Sequence, residues 1–297
     1  MSFAPVSVDD LDELEKRFRN AFFTGSAEGL EVVGYGEITS VVAWRGVNGP
    51  VAAKRLPTFR FGEGVTAYLA VLEDYLAGLG AVGVDVMPTL AQTVKLDGGD
   101  VAVYLLQPLL RPEQIGPAYL RKATDEQATG FLDMVCERTE TAIGAGIGID
   151  AQVSNWGIDE GNLFYFDVTT PLLKDDRGDD RIDVDIFLAS LPWALRGTVK
   201  RFLVQGIIDE YFDVRATLLD LIGQFYKERL VSLIPLGLDR ANRRLSDPIS
   251  AKELEQYYKW DARMWEFLQR LRRIDRWWHL KIRHHPYPLL IPGNVQR

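Results

Sequence analysis

The stretch from Gly148 to Pro171, GIDAQVSNWGIDEGNLFYFDVTTP, constrains this chain more than any other. Asp150 is followed five residues later by Asn155 and, twelve residues beyond that, by Asp167, which ends the apolar run Leu163 to Phe166. Of the six asparagines, only Asn155 has an aspartate five positions before it. A tight hairpin with Asp159, Glu160, Gly161 and Asn162 as its turn folds Asn155 and Asp167 back beside each other at one end of two short strands. An ordinary hairpin, in which Asp150 and Asn155 only satisfy backbone donors, has the same spacing. The rest of the chain has to separate the two readings.

The chemistry that such a spacing serves is phosphoryl transfer: one carboxylate accepts a hydroxyl proton, while an amide and a second carboxylate hold magnesium. A nucleoside triphosphate brings several negative charges, and magnesium takes hard oxygen ligands, usually one or two from the protein. Asp150 fits the first role, and Asn155 and Asp167 the second.

Upstream, Ser7 to Phe23 reads as an amphipathic helix, with Ser7 and Asp10 resembling a capping box and Leu11, Leu14, Phe18, Ala21 and Phe22 at helical spacing. Strand-like segments follow at Glu31 to Tyr35, Ile38 to Trp44 and Val51 to Arg55, joined by Gly36-Glu37 and by Gly46 to Pro50 as an antiparallel meander. Gly34 and Gly36 in its first hairpin either serve positive φ or let the backbone approach a phosphate, with hydroxyls at Thr39 and Ser40 as further donors. Lys54 ends the third strand, where an inward side chain can reach a nucleotide's phosphates. Glu63 to Gly78 reads as a helix with Leu69, Leu72 and Leu76 on one face. Glu73, on or beside that face, is the expected ion-pair partner of Lys54, with Asp74 ranked second.

In this order, a Gly-containing hairpin, strand lysine, helix glutamate, aspartate and asparagine five apart, then strand aspartate, the chain resembles the protein-kinase-like fold. The small-molecule branch of aminoglycoside and choline phosphotransferases is the better match, over roughly Glu31 to Pro171. Thr39 stands at the place of a third glycine, Gly148 at that of the histidine before the catalytic aspartate, and Val168-Thr169 at that of Phe-Gly. The resemblance implies a two-lobed α+β domain, with a small antiparallel-sheet N-lobe over residues 1–107 and a mostly helical C-lobe over 108–297. It also implies ATP and Mg2+ as cofactors. Lys54 then pairs with Glu73 and the phosphates, Asp150 is catalytic, and Asn155 and Asp167 bind the metal. Gln107, ending the apolar strand Val101 to Gln107, opens a hinge whose backbone through Leu109 meets an adenine edge. Three activities stay open: phosphorylation of a small-molecule hydroxyl, nucleotide binding without transfer in the manner of a pseudokinase, and adenylyl transfer to a protein.

Other classes are disfavoured. A formal charge of -8 argues against general nucleic-acid affinity, and one cysteine, Cys136, excludes an internal disulfide. The glycines from Gly144 to Gly148 follow a predicted helix, Thr124 to Ile143, where a dinucleotide site needs a strand, and no phosphate loop of the GxxxxGK[ST] type occurs. No apolar run approaches a membrane span and no secretory signal opens the chain, so a cytoplasmic protein without membrane partners is expected. Six aspartates between Lys174 and Asp185 read as a solvated loop, or as a wall for a cationic acceptor. Helices are expected over Asp185 to Leu191, Leu195 to Phe212, Arg215 to Leu233 and Ser250 to about Ile282. The last carries alternating basic and aromatic residues assigned to packing. His279, His284 and His285 have no carboxylate or cysteine companion in sequence and are assigned no metal.

Overall fold

The computed structural model describes residues 3–36, 39–183 and 204–291. Helix α1 (Val8–Thr24) starts where the Ser7 hydroxyl accepts from the Asp10 amide, and stops at Gly25 in the left-handed region. Strands β1 (Glu31–Tyr35), β2 (Ser40–Gly46), β3 (Gly49–Arg55), β4 (Leu90–Lys95) and β5 (Val101–Pro108) form an antiparallel sheet in the order β1-β2-β3-β5-β4. The expected meander is present. Its second connection is shorter than predicted, because Gly46 pairs with Gly49 and leaves Val47-Asn48 as a two-residue turn. Glu37 and Ile38 lie outside the described residues. Strand β4 was not predicted: it is an edge strand with only Val94 buried, so no apolar alternation announces it.

Alternation sorts the sheet into two faces. Val42, Ala53, Tyr104 and Leu106 pack with Leu11, Leu14, Phe18 and Phe22 of α1 in one core. Val103 and Leu105 face the opposite way, onto α2 (Val65–Ala81), in a second and larger core. Lys54 is register-paired with Leu105 and so belongs to this inner face. Its neighbour Arg55 points outward, where its guanidinium donates to both carboxylate oxygens of Glu15 at 2.7 and 2.8 Å. The Tyr104 hydroxyl donates to the same carboxylate at 2.5 Å, and both charged side chains are only 3 % exposed.

The larger core continues from the inner sheet face through α4 (Asp125–Gly144) and the hairpin of β6 (Trp156–Asp159) and β7 (Asn162–Tyr165). A short helix, α3 (Gly116–Leu120), lies between β5 and α4, and α5 (Val204–Glu210), α6 (Val214–Lys227), α7 (Ile234–Asn242) and α8 (Ala251–Trp277) follow the hairpin. The fold is therefore α+β, a five-stranded antiparallel sheet followed by a helical C-terminal part. The helix expected over Arg215 to Leu233 stops short: α6 ends at Lys227 and Arg229 takes a positive φ, and a separate helix, α7, begins at Ile234 with Pro235 in its first turn, where its missing N–H costs nothing. The helix expected over Asp185 to Leu191 lies outside the described residues, as does the start of the one over Leu195 to Phe212.

In the acidic segment, Asp175 accepts from the amides of Arg177 and Asp179, and Lys174 bonds Asp180 and Asp209, so this part folds on itself as a turn. The packing assigned to the last helix holds for Arg272, which is buried, but not for Trp260, Trp277 and Trp278, which are exposed. No described helix is long and apolar enough to cross a membrane.

Candidate active site

The β6–β7 hairpin forms as its turn residues demand. Glu160 and Gly161 both take positive φ between Asp159 and Asn162, the requirement of a two-residue hairpin turn whose twist matches its strands. Trp156 then pairs with Tyr165, and the Phe166 amide donates to the Asn155 carbonyl at 3.0 Å. Asn155 and Asp167 therefore leave the hairpin side by side. The Asn155 amide Nδ2 donates at 3.2 Å to the backbone carbonyl of Asp150, which ties the third residue to the same point.

Lys54 reaches this point from the sheet. Its Nζ, on a side chain 6 % exposed, donates to the Phe166 carbonyl at 2.7 Å and lies 3.4 Å from Asp167 Oδ1. Four of the predicted residues, Lys54, Asp150, Asn155 and Asp167, thus meet although Lys54 is remote from the others in the chain. The donor set suits magnesium. Asn155 uses Nδ2 for the Asp150 carbonyl, and among the described residues neither its Oδ1 nor Asp167 Oδ2 accepts a hydrogen bond, Lys54 and the Thr169 hydroxyl both being on Asp167 Oδ1.

Glu73 is not part of this set, contrary to expectation. The buried face of α2 is Tyr68, Val71, Leu72, Tyr75 and Leu79, with Leu69 and Leu76 of the predicted row only partly buried at its edge, and Glu73 lies about 140° round the helix from Tyr68, exposed. Among the described residues Lys54 has Asp167 as its carboxylate, and Asp74 pairs with Arg181 at 2.5 Å. Two tyrosines take the inward places: the Tyr68 hydroxyl donates to the Thr169 carbonyl at 2.9 Å and that of Tyr75 to the Gly148 carbonyl at 3.0 Å. Burial pushes both phenols far above their ordinary value, so they remain donors. Helix α2 is thereby fastened to both ends of the Gly148 to Thr169 segment.

Gly148 stands where the resemblance places a histidine, and there is no space for one. A Cβ on it would lie 2.8 Å from Leu172 Cβ and 2.9 Å from the Phe212 ring. The loop is braced through its backbone instead, Gly148 donating to Leu172 and Ile149 to Tyr211. Gln107 also departs from its expected role. It is buried at 2 % exposure and still within β5, paired with Ala52, and its Nε2 donates to the Phe166 carbonyl and the Thr89 hydroxyl at 2.9 Å each. It positions the carbonyl that Lys54 also grips. Only Leu109 of the predicted hinge lies beyond the strand.

In the first hairpin, Gly34 pairs with Val41, which pairs with Lys54, so glycine and lysine lie in one row across the sheet. Neither Gly34 nor Gly36 takes positive φ, which removes that explanation for them. A Cβ at Gly36 would lie 2.7 Å from the Thr39 hydroxyl, which would have to turn away. Thr39 and Ser40 are both buried.

Sequence reading missed a third carboxylate. Asp220 on α6 accepts from Gln152 Nε2 at 3.1 Å, Gln224 Nε2 at 2.8 Å and the Tyr257 hydroxyl of α8 at 3.0 Å, while the Gln152 amide donates to Asp150 Oδ1 at 3.1 Å. Burial, with the charges of Asp220 and Asp167 nearby, pushes the Asp150 carboxyl up to about 8. Asp220 is likewise raised by burial and by Asp261, against the pull of its three donors. Only the run of carboxylate and amide residues on α6 and α8 could have signalled this, and nothing in it points to Asp150. Cys136 is buried, which pushes its thiol up to about 12 and removes it as a nucleophile.

No curated protein matches the chain. A model described as a family of unknown function, DUF6206, matches residues 13–276, which include every residue of the candidate site. The chain belongs to the DUF6206 family.

Proposed function

We propose that this protein transfers a phosphoryl group from ATP to the hydroxyl of a small molecule, on a protein-kinase-like fold whose two lobes meet at the Asp150 to Asp167 segment. The observation that supports this best is the convergence of Lys54, Asp150, Asn155 and Asp167 through hydrogen bonds between elements far apart in the chain. Magnesium, when bound, supplies neutralisation of the phosphate charge, and Asn155 and Asp167 are the residues that would hold it. Lys54 binds phosphate oxygens from the sheet, beneath the Gly34 to Ser40 hairpin. Asp150 orients the acceptor hydroxyl and takes its proton as the acceptor oxygen bonds to the γ-phosphorus and the bridging bond to the β-phosphate breaks, releasing ADP. A raised carboxyl is a better base for this than an exposed aspartate. Asp220 raises the carboxyls of both Asp150 and Glu210 and is itself raised by Asp261, so acidic groups cluster on this side, where a cationic or sugar-like acceptor would find partners.

A second reading, nucleotide binding without transfer, is favoured by the outward Glu73 and by Gly148, since both remove groups an active kinase-like site ordinarily has. Product mass separates these readings, and adenylyl transfer as well. Incubation with ATP, magnesium and a panel of amino alcohols and aminoglycosides is expected to give an acceptor heavier by one phosphoryl group. Turnover that survives Asp167→Ala, or an added adenylyl group, would refute the proposal.

A further inference from the structure

Helix α8 carries two apolar faces, and only one of them packs on the protein. The inner face rests on α6: Leu254 is buried, the Tyr257 hydroxyl bonds Asp220, and the Tyr258 ring stacks on Tyr226 at 4.7 Å. Beyond its end the chain is fastened to α1, where Leu280 fills the space beside Gly25 and the Tyr287 amide donates to the Phe22 carbonyl at 2.9 Å. The helix is thus held at both ends. Between them Trp260, Met264, Phe267, Ile274 and Trp278 are each 43 % exposed or more. Their spacing of four, three, seven and four residues places them on a single stripe, with half-buried Leu271 filling the gap, about 27 Å long at the helical rise.

The charges beside the stripe are predominantly basic, although Arg270 has exposed Glu266 at 3.8 Å. Arg263 and Arg270 each follow a stripe aromatic by three residues and so line one flank, and Lys281 stands in the π-helical turn Trp278–Arg283 that continues α8. From residue 263 to 283 there are seven lysines and arginines against two acidic residues, on a chain whose formal charge is -8. A contiguous exposed apolar row of this kind marks a docking surface. A second copy of the chain laid antiparallel along the stripe would set the Arg263 and Arg270 flank against its own cations. An anionic surface meets the same flank favourably. Tryptophans at both ends of the row are suited to the boundary between headgroups and acyl chains, and apolar stripe plus cationic flank is the pattern of helices that lie in that boundary.

We propose that α8 and the π-helical turn after it dock this protein on the surface of a bilayer bearing anionic phospholipids, with Trp260, Phe267, Ile274 and Trp278 entering the acyl boundary and Arg263, Arg270 and Lys281 meeting the phosphates. The helix lies along the membrane and does not cross it. Because Tyr257 of the same helix bonds Asp220, docking takes place on an element that touches the candidate active site.

The test is co-sedimentation of the full chain with phosphatidylcholine vesicles, with and without phosphatidylserine, alongside Phe267→Ser/Ile274→Ser and Arg270→Ser/Lys281→Ser. Wild type should partition onto the phosphatidylserine vesicles alone and release with added salt. Each lost cation should weaken partitioning about fivefold, and loss of the two apolar side chains about a hundredfold. All of these side chains are exposed, so the variants should unfold at the wild-type midpoint. Absence of wild-type partitioning, or partitioning that neither pair of substitutions weakens, would overturn the proposal. So would a stripe-dependent dimer that leaves vesicles unbound in sedimentation velocity.

Discussion

The buried pair behind the sheet gives the sharpest stability prediction. Arg55 and Glu15 are each 3 % exposed and joined by two short hydrogen bonds, and Tyr104 adds a third bond to the same carboxylate. Glu15→Gln keeps the shape and one acceptor oxygen but removes the charge. The guanidinium would be left with that one oxygen, the Leu56 carbonyl and the Thr58 hydroxyl, none of which is ionised. Breaking a buried ion pair from one side costs about 3–5 kcal/mol, because the remaining charge stays out of water without compensation. Retained hydrogen bonding should hold Glu15→Gln near the lower end, about 3 kcal/mol, with Arg55→Met similar. The double variant Glu15→Gln/Arg55→Met removes the stranded charge and should lie within about 2 kcal/mol of wild type, since well-packed neutral replacements of buried pairs are often tolerated. Urea denaturation of the four proteins gives the cycle directly. Single variants that cost under about 1 kcal/mol, or costs that simply add, would refute this account of the outer face. The pair also bears on the site: it fixes β3 by one face while Lys54 projects from the other.

Two further outcomes follow from the loop itself. The Asp150 carboxyl is raised in the folded protein, so its contribution to stability is fully present below about pH 4 and lost as pH rises through about 8. Asp150→Asn should therefore exceed wild type in stability by about 1–3 kcal/mol above that range and match it in acid, the size being held down by the partial exposure of the group. A wild-type advantage at high pH in paired denaturation curves would contradict the assigned environment. Gly148→His, which restores the residue expected from the resemblance, should destabilise by about 3 kcal/mol through overpacking against Leu172 and Phe212. Stability equal to wild type would show that the backbone brace is not filling that space.

The parts of the fold that local rules govern were legible. The Asp159 to Asn162 turn needs positive φ at two central positions and supplies a glycine for one, so the hairpin and the juxtaposition of Asn155 with Asp167 could be read in advance. Strand alternation likewise placed Lys54. The leucine spacing of α2 centres its inner face on Leu69, Leu72 and Leu76 and so puts Glu73 beside it, whereas the centre lies further round the helix. The face is set by Tyr68 and Tyr75, whose hydroxyls are satisfied by carbonyls of a distant segment, and a hydropathy pattern does not carry that. Asp220, Gln152 and the pairing of Glu15 with Arg55 were invisible for the same reason: each depends on partners separated by 40 residues or more. Gln107 looked like a strand end open to a ligand, but its amide is consumed by the carbonyl it supports.

The most direct test of the central claim is a thermal-shift titration with ATP, with and without magnesium, on wild type and Asp167→Ala. A ligand that binds only the folded state at a hundred times its dissociation constant adds about 2.7 kcal/mol, a rise of roughly 5 °C for a chain of this size. The account predicts that rise for wild type with magnesium and its loss in Asp167→Ala. A wild-type midpoint unmoved by millimolar magnesium and ATP, or an equal rise in both proteins, would contradict it.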